Sequence, residues 1–142
     1  MEHVTAAHVI VGGNAEGELV KSTSPISFWG GVDPLSGLII DRRHDRCGDS
    51  IVGSIFAFPE EIGSSTASAV LVELVRNGHA PAAIITCKVP TVLALGTIIA
   101  DELYHSSVPI FSVDQASFDS LVDGSRLRIS EKGEIEAVGD QG

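Results

Sequence analysis

Residues 51–78 read IVGSIFAFPEEIGSSTASAVLVELVRNG, and this stretch decides how the chain folds. Residues 51–58 form a mainly apolar run that predicts a strand buried on both faces in the centre of a sheet. From Thr66 onward the apolar residues recur at helical spacing, and Gly78 is a natural stop, so an amphipathic helix is predicted there. The connecting turn holds Gly63-Ser64-Ser65, where a starting helix presents unpaired backbone N–H groups.

The pattern on both sides of this stretch predicts the order of the other elements. Short apolar, β-branched runs bounded by turn-forming residues predict strands, and the run that begins at Pro90 has helical spacing. The predicted strands cover residues 7–12, 19–21, 26–29, 37–41, 82–86, 108–113, 126–130 and 134–138, and the further helices cover 90–103 and 115–121. Because several strands precede the β-α-β-α-β centre, we expect an α/β fold with a mixed, barrel-like sheet and helices packed outside.

Length and composition limit the class of protein. The chain of 142 residues fits one domain, 1–142, with residues 139–142 as a frayed tail. No apolar run approaches the roughly 20 residues of a membrane-spanning helix, and Met1-Glu2-His3 lacks the basic start of a signal peptide. The formal net charge of −10 argues against nucleic-acid binding. We therefore expect a cytoplasmic domain whose partners are neither membranes nor nucleic acids.

The two cysteines do not form a metal-binding pattern. Cys47 and Cys87 are far apart in sequence and the chain has no Cys-x-x-Cys. An iron–sulfur cluster normally takes at least three thiolates, so we expect no metal site in this chain. Cys87 has no activating neighbour in sequence. The N–H groups after Pro90-Thr91 could bind an anion, but proline at a helix start also explains this segment without a function.

The Gly63-Ser64-Ser65 turn allows two interpretations. Serine is a preferred residue at the start of a helix, and glycine eases the sharp turn before it, so the pair of serines can be a simple cap. Alternatively, a serine oxygen acts there as a base, with help from oriented N–H donors or a cation. The chain has no Gly-x-Ser-x-Gly, which argues against a serine hydrolase.

Two further segments also allow a structural and a functional interpretation. Pro25-Ile26-Ser27-Phe28-Trp29-Gly30-Gly31-Val32-Asp33-Pro34 is either a core aromatic pair with a glycine turn or one wall of a cleft, since paired glycines allow close approach. The charged segment 41–49 is either a solvated hairpin tip or a loop that turns His44 and an arginine toward the same cleft or a partner subunit. No spacing in it is diagnostic of a metal site.

Together these motifs resemble a known family. The segment 25–34, the run Gly37-Leu38-Ile39-Ile40-Asp41 followed by His44, and Gly63-Ser64-Ser65 are similar to the small subunit of aconitase X, over about residues 7–129. The resemblance implies a swivelling β/β/α domain that docks on a large subunit carrying an iron–sulfur cluster or iron. It implies a hydro-lyase that is active only with this large subunit and that acts on a small carboxylate.

The resemblance also suggests roles for individual residues. In the wider aconitase superfamily this turn reads Gly-Ser-Ser-Arg, and its first serine is the base, which places that role on Ser64. The fourth position is Thr66 here, so the anion-binding charge must come from the partner, from an arginine of the 41–49 loop, or from backbone N–H groups. The expected substrate-binding residues are Gly63, Ser65, Thr66, Trp29, Gly30 and Gly31, and further candidates are Asp33, His44, Arg42 and Arg43.

Two substrates are compatible with this resemblance. Members of the family resemble a bacterial dehydratase of cis-3-hydroxy-L-proline and an archaeal dehydratase of 5-phosphomevalonate. Archaeal small subunits tend to read Gly-Ser-Thr-Val-Gly-Ser at the serine turn, whereas residues 63–68 here read Gly-Ser-Ser-Thr-Ala-Ser. We therefore favour the hydroxyproline enzyme, with the phosphomevalonate enzyme and a non-catalytic binding or regulatory module as alternatives.

Overall fold

Short strands and a few helices make up the computed structural model, which describes residues 4–139. The strands are β1 (Val4–Ala6), β2 (His8–Val11), β3 (Ala15–Lys21), β4 (Val32–Asp33), β5 (Leu38–Ile39), β6 (Ile55–Ala57), β7 (Ala83–Thr86), β8 (Ile110–Ser112), β9 (Arg126–Ile129) and β10 (Glu134–Ala137). The helical segments are α1 (Phe28–Gly31), α2 (Thr66–Asn77), α3 (Thr91–Tyr104) and α4 (Gln115–Ser120). No helix within 4–139 is long and apolar enough to cross a membrane.

Eight of these strands form one sheet that almost closes on itself. Their order is β1-β10-β9-β3-β6-β7-β8-β2, with β3, β6, β7 and β8 parallel to one another and the outer pairs antiparallel. The strands β1 and β2 lie at opposite edges but follow each other in the chain. The Ala7 N–H between them bonds to the Gly133 carbonyl at 2.9 Å. The mixed, barrel-like sheet expected from the sequence is therefore confirmed.

Both faces of the central strand β6 are buried, as its apolar sequence predicted. Ile55 and Ala57 point to one side, where they join Ile85, Phe111 and a small group of residues around α4. Phe56, like the following Phe58, points to the other side, under α2 and α3. Because side chains alternate along a strand, one apolar run supplies two separate cores.

The helix α2 begins and ends where the sequence indicated. It covers Thr66–Asn77, and Gly78 follows in the left-handed conformation with φ 75°. The N–H of His79 bonds to the Leu74 carbonyl at 2.9 Å, which satisfies an orphan carbonyl of the last turn. On its other side α2 packs closely on α3, since a Cβ added at Gly96 would lie 2.9 Å from the Ser68 carbonyl oxygen.

Four predicted strands need correction. The segment 26–29 is not a strand, because Trp29 (φ −70°, ψ 114°) and Gly30 (φ 78°, ψ −10°) have the dihedrals of a type II β-turn inside α1. The strands predicted over 51–58 and 37–41 shrink to β6 and β5, because residues 52–54 and Gly37 form turns or bends. The strand predicted over 7–12 shrinks to β2, and β1 precedes it as a separate strand that was not predicted. Of the predicted frayed tail, residues 140–142 lie outside the described residues.

Candidate active site

The candidate residues gather at the end of the barrel where the parallel strands finish. The loop 58–65 follows β6, the turn 22–27 follows β3 and the loop 87–90 follows β7. Ligands of parallel α/β sheets bind outside the carboxyl ends of the strands, which makes this end of the barrel the candidate site.

Ser64 lies at the start of α2 with its side chain only weakly engaged. Its carbonyl oxygen accepts the Ala67 N–H at 2.9 Å, while its Oγ accepts the Thr66 N–H at 3.4 Å, at the long limit of a hydrogen bond. Ser65 adopts helical dihedrals (φ −56°, ψ −26°) and makes no side-chain capping bond. The serine pair is therefore a poor cap, and the Ser64 hydroxyl faces the positive end of the helix dipole.

Glu61, three residues before Ser64, caps the neighbouring helix instead. Its two carboxylate oxygens accept the backbone N–H groups of Val92 and Leu93, each at 3.0 Å. The sequence suggested that the N–H groups after Pro90-Thr91 could bind an anion. The structure gives that position to Glu61, so these donors are already used.

Replacing Glu61 with alanine should lower the stability of the domain by about 0.5–2 kcal/mol, the usual cost of losing a helix cap. The measurement is the free energy of unfolding in urea. Glu60→Ala is the matched control, because the Glu60 carboxylate is 3.8 Å from the exposed Lys88 ammonium and should contribute little. Equal losses in the two variants would show that the cap contributes nothing.

The segment 25–31 stands beside the Ser64 turn, and we call it the Trp29 wall. The Ile62 N–H bonds to the Ile26 carbonyl at 2.8 Å, and Ile26 itself is buried. Phe28 is buried against Phe56 and Phe58, whereas the side chain of Trp29 is 60 % exposed. Phe28 therefore fits the interpretation as a core aromatic, whereas Trp29 is exposed and its place in the wall of a cleft stays a prediction.

The two exposed arginines of the 41–49 loop lie close to this wall. The Ile40 N–H bonds to the Gly31 carbonyl at 2.8 Å, so the loop that follows begins next to Gly30. Arg42 is exposed, and the side chain of Arg43 is 95 % exposed with Asp41 4.0 Å away. Both arginines are available to an anion that approaches from outside.

Arg46, by contrast, is held within the fold. Its guanidinium bonds to Asp49 at 2.6 Å, to Asp123 at 2.7 Å and to the Lys21 carbonyl at 3.0 Å. Partial burial by itself would raise the pKa of the Asp123 carboxyl, but the Lys21 N–H and the Arg46 guanidinium outweigh it and lower that pKa. Arg46 therefore joins the loop to the end of β3.

His44 and Asp33 are used inside the protein and do not face an open cleft. The His44 side chain is 2 % exposed and its Nε2 lies 3.0 Å from the Ser22 Oγ. The Asp33 carboxylate accepts the Leu35 N–H at 3.0 Å and the Ser36 hydroxyl at 3.0 Å within its own turn. Neither side chain is placed to contact a substrate directly.

Cys87 is not set up as a nucleophile, and the potential metal ligands are scattered. Burial, with the nearby Asp119 and Asp114 carboxylates, raises the pKa of the Cys87 thiol, which favours its unreactive protonated form. Within residues 4–139 no group of three or more His, Cys, Asp or Glu side chains could hold a metal ion. Among the described residues, therefore, no set of side chains fits an iron–sulfur cluster.

A separate cleft at the opposite end of the barrel does not contain these residues. It is lined by Asn14, Glu16, Arg128 and their neighbours at the start of β3 and the end of β9. The Glu16 carboxylate is already bonded to Arg126 at 2.9 Å and to Arg128 at 3.2 Å, and these bonds lower its pKa. Glu16 and Arg128 are thus paired within the protein, and we place the candidate site at the Ser64 end.

Comparison with known proteins agrees with this fold. The model of the aconitase X swivel domain matches residues 4–137. The chain belongs to this family. The swivel domain superposes on a chain of the crystal structure of Thermococcus kodakaraensis aconitase X (holo-form) with a TM-score of 0.86 and 38 % identity, covering 96 % of this chain and 99 % of the other.

Relatives of the swivel domain carry two different names. It is 43 % identical over 130 residues to the phosphomevalonate dehydratase small subunit of Thermococcus gammatolerans, covering 91 % of this chain and 93 % of that one. It is 41 % identical over 129 residues to the cis-3-hydroxy-L-proline dehydratase of Pseudomonas aeruginosa, covering 91 % of this chain but 22 % of that protein. The same domain thus matches both a separate small subunit and about a fifth of a longer chain.

Two residues of the swivel domain that shape the site were missed from the sequence. Glu61 caps a helix that starts 30 residues later, and Ser22 is hydrogen-bonded to His44 of another loop. A capping residue is normally recognised immediately before its helix, and neither contact is local. The one available sequence signal was the position of Glu61, three residues before Ser64.

Proposed function

We propose that this chain is the small, swivelling part of an aconitase X type dehydratase, in which Ser64 removes a proton from the carbon beside a carboxylate. The observation that carries the proposal is the Ser64 Oγ at the first turn of α2, in a swivel domain, with only a long hydrogen bond at 3.4 Å. A strongly bonded cap would not be free for this chemistry. The two free thiols fit a reducing compartment, the cytoplasm.

The serine needs more help than this chain provides. A helix N-terminus stabilises a nearby negative charge by about 0.3–2 kcal/mol, which corresponds to roughly 0.2–1.5 units of pKa. The Thr66 N–H can shorten its contact when the oxygen becomes negative, but this adds one hydrogen bond. A cation must therefore come from a partner or from Arg42 or Arg43, since Arg46 is already paired.

Exposed apolar side chains around the site support a partner chain. Trp29 is 60 % exposed, Ile62 is 54 % exposed and Val89 is 53 % exposed, all at the Ser64 end of the barrel. Such groups of apolar residues mark interaction surfaces. We propose that a larger aconitase-like chain covers them, and that it holds the iron–sulfur cluster or iron, which acts as a Lewis acid for the leaving hydroxyl.

Among the two candidate substrates we propose cis-3-hydroxy-L-proline. A phosphate group is usually recognised by several cationic side chains. The loop before Ser64 carries Glu60 and Glu61, and Thr66 stands where the superfamily has an arginine, which disfavours a phosphorylated substrate. The similar identity to phosphomevalonate dehydratase small subunits keeps 5-phosphomevalonate as the second candidate.

The proposal is tested by assembling the enzyme. This chain is co-expressed with a larger aconitase-like chain, the complex is purified without oxygen, and each candidate substrate is followed by proton NMR. We expect a stable complex that dehydrates cis-3-hydroxy-L-proline. If the complex dehydrates only 5-phosphomevalonate, the assignment of cis-3-hydroxy-L-proline as substrate is wrong. A well-formed complex that is active on neither substrate would favour a non-catalytic binding or regulatory module.

A further inference from the structure

Ser22, His44 and Asp45 form a small polar cluster between two loops, in which Ser22 and His44 are buried and Asp45 is partly exposed. Ser22 has no exposed surface, and its Oγ lies 3.0 Å from the His44 Nε2 and 2.7 Å from the Asp45 Oδ1. Asp45 also accepts the Thr23 N–H at 3.3 Å. Buried polar groups are costly unless each one is bonded, so a set this complete constrains the loops that supply it.

The directions of the hydrogen bonds show what the histidine does. The Arg46 backbone N–H donates to the His44 Nδ1 at 3.1 Å, so the neutral ring carries its hydrogen on Nε2 and donates it to Ser22. Ser22 in turn donates to Asp45. Burial by itself would raise the pKa of the Asp45 carboxyl, but the hydrogen bonds from Ser22 and Thr23 outweigh burial and lower that pKa. His44 therefore cannot take a proton from Ser22, and the three residues are not a hydrolase triad.

This cluster connects the two ends of the Trp29 wall. At the start of the wall, the Ser24 N–H donates to the Ser22 Oγ at 3.0 Å. At its end, the Gly31 carbonyl accepts the Ile40 N–H at 2.8 Å, and the chain then runs directly into the loop that carries His44. The wall and the His44 loop thus form a closed ring of contacts.

We propose that His44 is a positioning residue that, through Ser22, holds the Trp29 wall at a fixed place against the Ser64 turn. The link to the turn is the bond of the Ile62 N–H to the Ile26 carbonyl at 2.8 Å, two residues before Ser64. The proposal rests on the proposed function of Ser64. A misplacement of about 1 Å in an active site can lower the rate on the order of 100-fold. A loosened wall would produce such a misplacement, so His44 can affect the rate without any contact with the substrate.

Two measurements on His44→Leu test this role. Trp29 is the single tryptophan of the chain, so its fluorescence anisotropy in the full chain reports the mobility of the wall. We expect lower anisotropy, and a kcat of the assembled enzyme that falls about 10–100-fold with a smaller change in KM. Ser22→Ala should do the same, while His44→Gln, whose amide can still donate to Ser22, should recover most of both.

Ser54→Ala is the matched control for loss of a buried hydroxyl. The Ser54 Oγ donates to the Ile51 carbonyl at 2.8 Å, and neither residue belongs to the Trp29 wall. This variant should therefore lose stability but keep wild-type anisotropy and kcat. Wild-type anisotropy and kcat in folded His44→Leu would overturn the proposal, as would His44→Gln behaving like His44→Leu. If His44→Leu does not fold, Asp45→Ala replaces it, because that side chain is 35 % exposed. A fully active Ser64→Ala would refute the proposed function alone, since the anisotropy does not depend on turnover.

Discussion

The assembled enzyme with Ser64→Ala should lose about 10²–10⁴-fold in kcat, the usual cost of removing a well-placed general base. The complex should still form and the fold should remain, because the Ser64 Oγ makes a single long bond at 3.4 Å. The loss of stability should therefore stay at or below about 1 kcal/mol. The measurements are steady-state kinetics of the complex and urea unfolding of the same variant.

Ser65→Ala is the control for this substitution. Ser65 is exposed, and its side chain makes no capping bond, so its removal should change stability little. As an expected substrate contact and not the base, it should lower kcat far less than the removal of Ser64 does. Turnover close to wild type in Ser64→Ala would exclude this serine as the base. An equally large loss in Ser65→Ala would mean that the structure does not distinguish the two serines.

Phe56→Ala should cost about 3–5 kcal/mol of folding free energy, the range for emptying a buried aromatic position. Phe56 has no exposed surface and its ring centroid lies 6.1 Å from that of Phe28 and 4.8 Å from that of Phe58. Domains are stable by about 5–15 kcal/mol, so this variant loses a large share of its stability. Urea unfolding followed by circular dichroism measures the change.

The Phe56 cavity should also affect the site. Phe28 precedes Trp29, so a loosened aromatic cluster should increase the mobility of the wall before the domain unfolds globally. Phe56→Leu, which keeps much of the volume, should lose less, and Val122→Ala should lose almost nothing because Val122 is 67 % exposed. A loss of folding free energy in Phe56→Ala no greater than in Val122→Ala would mean that the contacts of Phe56 with Phe28 and Phe58 do not stabilise the fold.

Sequence patterns predicted the elements correctly where the deciding contacts are local. The period of 3.6 residues and the glycine stop located α2, and Asp114 caps α4 through the Ser117 N–H at 2.8 Å as expected. The segment 26–29 looked like a strand because its residues are apolar and aromatic. The segment forms a turn because Gly30 adopts a positive φ and the Phe28 side chain packs in the core.

The candidate site divides in the same way. The sequence by itself determined that a glycine and two serines precede an amphipathic helix, since capping and periodicity act within a few residues. Only the tertiary structure decided that Glu61 caps α3, that His44 is bonded to Ser22 and that the Trp29 wall stands beside Ser64. These contacts join residues from different loops, and no local pattern specifies which loops the closing barrel brings together.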